Sequence, residues 1–169
     1  MKNTVRILFA AMLVAGLGAC AKKAVKPAPA PEPAPVAEPA PMTDTGKYKV
    51  GDLDTDSCLR QRVIYFDLDR TEIKPEFQAQ VACHAEYLRQ FPNARATLEG
   101  HADERGTREY NLGLGERRGN AVAGALSAAG ASSGQLTVVS YGEERPTCTD
   151  SNDGCWGKNR RVEIVYTAK

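Results

Sequence analysis

The rhythm of apolar positions changes along the chain. Residues 1–19 hold one unbroken apolar run, Ile7 to Leu17, and the stretch after it has no period. From Arg60 onward, short β-branched or alternating stretches take turns with stretches of helical spacing. RVIYF (62–66) is β-branched and aromatic, which predicts a strand. KPEFQAQVACHAEYLRQF (74–91) has Pro75 near its start, apolar residues at Phe77, Val81, Ala85 and Leu88, and Pro92 just past its end. That spacing predicts a helix. ARATLEG (94–100) predicts a second strand. TREYNLGLGERRGNAVAGALSAAG (107–130) predicts a second helix, with Thr107 as N-cap and Gly130 as its stop. QLTVVSYG (135–142) and RRVEIVYT (160–167) predict two more strands. The expectation is an α+β domain: a single mixed β-sheet with helices packed on it. The last strand follows a short loop, so some antiparallel pairing is expected.

The unperiodic N-terminus divides by composition. Lys2 and Arg6 precede the apolar run, which is too short to span a bilayer as a helix and reads as a signal peptide. Leu17-Gly18-Ala19-Cys20 resembles the lipobox of bacterial lipoproteins, in which the cysteine is lipidated and becomes the first residue after cleavage. The Pro/Ala-rich stretch that follows can form neither a helix nor a core. It favours extended polyproline II at about 3.1 Å per residue, and reads as a disordered spacer. The expected organisation is a lipoprotein signal peptide over 1–19, a lipidated Cys20 with its tether over 20–56, and a folded domain over 57–169.

Charge and cysteines narrow the classes. The chain has 22 Lys and Arg against 21 Asp and Glu. Losing Lys2 and Arg6 with the leader leaves the signs balanced, which gives no argument for nucleic acid as a partner. Cys58, Cys83, Cys148 and Cys155 lie past the leader, in an oxidising compartment, where disulfides are favoured over metal. Three connectivities are possible. The favoured one closes Cys148–Cys155 around a Gly/Asp/Asn-rich loop and pins Cys58, ahead of the first strand, to Cys83 in the first helix.

Candidate catalytic motifs are each incomplete. VIYFDLDRT (63–71) resembles the first motif of haloacid-dehalogenase-type phosphatases, with Asp67 as nucleophile and Asp69 as acid/base. That chemistry also needs a later lysine, an acidic pair around Mg²⁺ and more parallel strands than the domain can supply. The bland reading is a strand end running into a polar turn. A zinc hydrolase at HADE needs about three ligands, and the chain has only His84 and His101. There is no Gly-x-Ser-x-Gly elbow. The residues therefore point to no enzyme, no metal and no cofactor.

Binding is what remains, and the second helix carries an anomaly. At 100° per residue Leu114, Ala121, Val122, Ala125, Leu126 and Ala129 share one face, and Arg118 falls near the middle of it. An arginine there needs a carboxylate or phosphate partner, or must emerge where the core ends. The loop carrying Asp103 enters the same helix. Two arrangements are open: a direct Asp103–Arg118 salt bridge, or a small pocket that takes a zwitterion, ammonium on Asp103 and carboxylate on Arg118. Glu104, Arg105, Arg108 and Glu109 read as rim or solvent charges.

GHADERGTREYNLGLGERRGNAV (100–122) is similar to the core motif of the OmpA-like peptidoglycan-binding domain: His-x-Asp, then Gly, Asn, Leu and an arginine pair ahead of a small residue. VIYFDLDRTEIKPE, VSYGEERP and WGKNRRVEIVY extend the resemblance over residues 62–166. Together with the lipobox and tether, it is strongest to lipoproteins of the Tol–Pal system. The resemblance implies recognition of the diaminopimelate of peptidoglycan stem peptides, with Asp103 on the ammonium and Arg118 on the carboxylate. It places Phe66, Asp67, His101 and Asn111 as pocket lining. It also implies anchorage in the outer membrane facing the periplasm, a role in envelope integrity and cell division, and partners of the Tol system, including TolB. Ala21, after Cys20, fits outer-membrane sorting. Ala102 stands where a threonine is frequent, and Gly113 and Gly119 stand where small helix formers are commoner.

Overall fold

A computed structural model describes residues 46–168. The signal peptide, Cys20 and the Pro/Ala stretch lie outside the described residues. Four strands form one sheet: β1 (Val63–Tyr65), β2 (Arg95–His101), β3 (Leu136–Gly142) and β4 (Arg161–Ala168), in the order β1-β4-β2-β3. β4 runs antiparallel to both β1 and β2, and β2 runs parallel to β3. The mixed sheet and the antiparallel last strand are as expected.

Register sets the core. Leu98 faces Ile164 across β2–β4, and Ile64 faces Val162 across β1–β4. All four are buried, on the face where α2 (Gln78–Gln90) contributes Val81, Ala85 and Leu88 and α3 (Arg108–Ala128) contributes Val122 and Leu126. Alternation along each strand sends the other residues to the opposite face. Both predicted ends of α3 hold. Thr107 Oγ1 accepts from the Tyr110 N–H at 3.2 Å, and Gly130 turns the chain at φ 108°. Pro75 opens a 3-10 turn, Pro75–Phe77, that leads into α2.

α3 lies unusually close to the sheet. A methyl group on Gly100 would collide with the Gly115 carbonyl, and one on Gly119 would come to 2.5 Å from Val138 Cγ1. Gly119 is therefore a packing residue, and its helix-propensity cost of about 1 kcal/mol is offset by helix–sheet contact. Gly113 meets only the Arg117 side chain.

Two features depart from the sequence expectation. The tether does not run to residue 56, because Tyr48 and Leu53 are buried in the core and the Tyr48 N–H donates to Gln90 Oε1 at 2.9 Å. Isolated apolar residues in a polar stretch have no period, so only tertiary burial reveals them. The short helices α1 (Asp52–Thr55) and α4 (Asp153–Asn159) were not foreseen either. α4 contains Gly154 and Gly157, which mask its propensity, although Asn152 caps it by accepting from the Cys155 N–H at 2.9 Å. The disulfides Cys58–Cys83 and Cys148–Cys155 are the favoured pairing.

Candidate binding site

After β1 the chain turns at residues 67–70, where the Arg70 N–H donates to the Asp67 carbonyl at 3.2 Å. Asp69 takes the left-handed conformation, φ 55°, which aspartate tolerates better than most side chains. Arg118 reaches this turn from α3. Its Nε donates to the Arg70 carbonyl (2.9 Å), Nη2 to the Asp67 carbonyl (3.1 Å) and Nη1 to the His101 carbonyl (2.8 Å). The guanidinium lies over the Phe66 ring, 5.3 Å from its centroid. Arg118 is fully buried, yet no carboxylate among the described residues is within salt-bridge distance of it. Burial and the nearby Arg160 push its pKa down to about 10, so it stays charged at neutral pH. Three of its five N–H groups are committed to carbonyls, which leaves two for a ligand.

Asp103 follows β2 and is also buried. Its carboxylate accepts from the Arg105 side chain and from Arg160 Nη1, which stands 3.0 Å from Oδ2. Burial works to raise its pKa, but the two guanidinium groups outweigh that and hold it below the ordinary carboxylate value. The direct Asp103–Arg118 salt bridge is thus not formed. The two residues are held apart, each fixed by other groups.

Asp103 and Arg118 line one cavity of about 380 Å³, with Asp69, Arg105, Asn111 and Arg160 among the other walls. Its side chains carry three guanidinium groups and two carboxylates, so it suits a ligand bearing both signs. Leu68 and Tyr110, both largely exposed, form the apolar part of its mouth. Tyr110 donates its hydroxyl to the Asp69 carboxylate, and Asn111 donates its amide to Glu143.

Three residues expected as pocket lining are placed differently. Phe66 supports Arg118 from behind. Asp67 contributes a backbone carbonyl to Arg118, while its carboxylate is exposed and lies 3.8 Å from Lys74 Nζ. His101 is the clearest correction. Gly100 faces α3, so the next residue on β2 points through the sheet to the far side, where its ring packs 5.5 Å from that of Tyr141. Both ring nitrogens are buried without a hydrogen-bond partner among the described residues. Burial first, then Arg161 and Arg145, lower its pKa to about 4.

Arg105 and Arg160 line the cavity as well, and sequence reasoning placed neither of them there. Arg105 was read as a rim charge, but its guanidinium grips Asp103 and lies 4.2 Å from the Trp156 ring centroid. The two-residue spacing Asp103-x-Arg105 at a strand end was a signal for it. Arg160 lies 57 residues from Asp103 in sequence, and no local pattern joins them. The phosphatase geometry is not met. β1 is an edge strand paired antiparallel, not a central parallel one, and the Asp67 and Asp69 carboxylates engage different partners, Lys74 and Tyr110.

The family model of the OmpA family matches residues 65–160. The chain is 47% identical over 115 residues to the peptidoglycan-associated lipoprotein of Pseudomonas putida, covering 68% of this chain and 69% of that one. The crystal structure of the peptidoglycan-associated lipoprotein from Burkholderia pseudomallei superposes with a TM-score of 0.67 at 40% identity, covering 69% of this chain and 98% of that one. The cell wall anchor of the T6SS from Pseudomonas aeruginosa is similar at 28% identity, with a TM-score of 0.54 over 63% of this chain and 80% of that one. A shared sheet, a shared motif and this degree of identity lead to one conclusion: the chain belongs to the OmpA family, within its group of peptidoglycan-associated lipoproteins.

Proposed function

We propose that this chain is a non-enzymatic binding module that holds the outer membrane to the cell wall. The lipid on Cys20 anchors it to the outer membrane, the Pro/Ala tether spans part of the periplasm, and the folded domain binds peptidoglycan without a covalent bond. The ligand is the stem peptide, recognised at its diaminopimelate. One observation carries the reading: a buried guanidinium, Arg118, has no carboxylate among the described residues within salt-bridge distance and shares a cavity with a buried carboxylate, Asp103. A charge buried in this way is costly, and an incoming carboxylate relieves it. The family relatives named for peptidoglycan support the choice of ligand. By the same family likeness the chain works in the Tol–Pal system with TolB, in envelope integrity and cell division.

The test is co-sedimentation of the detergent-solubilised full-length protein with purified sacculi. The wild type is expected in the pellet. Asp103→Asn and Arg118→Lys, shown by circular dichroism to be folded, are expected in the supernatant. Pelleting of both folded variants at the wild-type level would remove the cavity from the reading.

A further inference from the structure

Asp103 as it stands has no site left for a ligand. Oδ1 accepts from the Arg105 backbone N–H at 3.1 Å and from Arg105 Nε at 3.2 Å, while Oδ2 accepts from Arg105 Nη2 at 2.7 Å and Arg160 Nη1 at 3.0 Å. A carboxylate offers about four lone-pair sites, and all are taken. A ligand ammonium must therefore displace one of the two guanidinium groups.

The two are not held alike. The Arg160 side chain is 15% exposed, and its Nε also donates to the Phe66 carbonyl at 3.0 Å, which ties it to the end of β1. The Arg105 side chain is 33% exposed, and both of its side-chain hydrogen bonds go to Asp103. Its flat face already lies against Trp156. Trp156 is itself fixed: it sits on α4, directly after Cys155, whose disulfide to Cys148 ties the start of that helix down, and its Nε1–H donates to Glu104 Oε1 at 2.9 Å. Ser151 Oγ donates to the same oxygen at 2.7 Å. A guanidinium leaving Asp103 thus keeps an aromatic face to rest on and a carboxylate, Glu104, close to that face.

We propose that Arg105 is a displaceable counterion, standing in for the ligand's ammonium in the empty cavity, and that when the ligand arrives it lets go of Asp103 and shifts along the Trp156 ring it already touches. Trp156 is then a positioning residue that keeps the displaced arginine out of the cavity. The idea rests on the stem-peptide reading above and specifies how that site is controlled. It has an unusual consequence. Arg105 competes with the ligand, so removing it tightens binding, whereas an arginine that contacts the ligand would weaken binding when removed.

Trp156 is the single tryptophan of the chain, so tryptophan fluorescence reports on its surroundings, and the Arg105 variants isolate the part that comes from Arg105. The detergent-solubilised full-length protein is titrated with a stem tripeptide ending in diaminopimelate, following emission and, in parallel, binding heat. Arg105→Ala and Arg105→Gln are treated alike; the second keeps much of the aliphatic stem without the charge. A saturable emission change is expected for the wild type. Both variants are expected to bind about threefold more tightly, the scale of a partly exposed ion pair, and to lose most of the emission change. Weaker binding by both variants, or wild-type binding with no emission change, overturns the counterion role while leaving the stem-peptide reading intact. No wild-type binding at all brings down both.

Discussion

Gly100 on β2 and Gly115 on α3 lie against one another with no side chain between them, so that a Cβ built on Gly115 comes to 2.8 Å from the Gly100 carbonyl oxygen. That close approach seats α3 on the sheet, and with it the helix that carries Arg118. Gly100→Ala is expected to destabilise the domain by about 1–3 kcal/mol, because backbone must move. Gly124, on the same helix, has open space around its Cβ position, and Gly124→Ala is expected to stabilise by about 0.5–1 kcal/mol. Urea denaturation of the two variants beside the wild type checks the opposite signs.

Arg118 binds carbonyls of three residues, so its loss is structural as well as functional. Arg118→Ala takes the guanidinium from the buried His101 carbonyl and the part-buried Arg70 carbonyl, while the Asp67 carbonyl keeps the Arg70 N–H. It is expected to cost about 2 kcal/mol or more, from roughly 1 kcal/mol or more for each of those two groups. Asp103→Asn keeps the shape of the side chain and is expected to cost less. The ordering of their urea midpoints is the measurement, and equal midpoints contradict it.

The two disulfides close loops of different size, with sequence separations of 25 and 7. Loop-closure entropy grows with loop length, giving about 3.5 kcal/mol for Cys58–Cys83 and about 2.4 kcal/mol for Cys148–Cys155. Paired serine substitutions, compared by denaturant midpoint, are expected to show the larger loss at Cys58–Cys83. The smaller loop holds the start of the helix whose Trp156 rests on Arg105, so its removal is expected to affect binding more than its stability cost implies.

Stability is expected to fall in acid in two stages. His101 is lowered to about 4, so between its ordinary value near 6.5 and about 4 the unfolded chain takes up a proton that the folded chain refuses. Its contribution is complete above pH 6.5 and declines as pH drops through that window, by at most about 1.4 kcal/mol per unit. Buried His84, also lowered, adds in the same direction. Asp103 is depressed below 3.8, so its contribution is present above that value and is lost as pH falls through its folded pKa. The chain has two histidines, so an NMR titration of their ring protons reads the first stage directly. A His101 resonance titrating near 6.5 contradicts it.

The alternation of β-branched and helical stretches was enough to expect an α+β domain with one mixed sheet, because core burial writes its period into the chain. Thr107, Gly130 and the off-pattern Arg118 were legible for a similar reason: each is a local departure with a local cause. What surrounds Asp103 was not legible. Arg160 reaches it across 57 residues, and Trp156 reaches Arg105 from a helix whose glycines hide it. His101 looked like a pocket residue until its place on β2 turned it to the far face. Sequence by itself determined the four strands, the two long helices, the caps of α3 and the two residues worth testing, since these depend on spacing along the chain. Tertiary structure alone decided which charges meet, because contacts between distant segments depend on strand order and helix approach, and local spacing records neither.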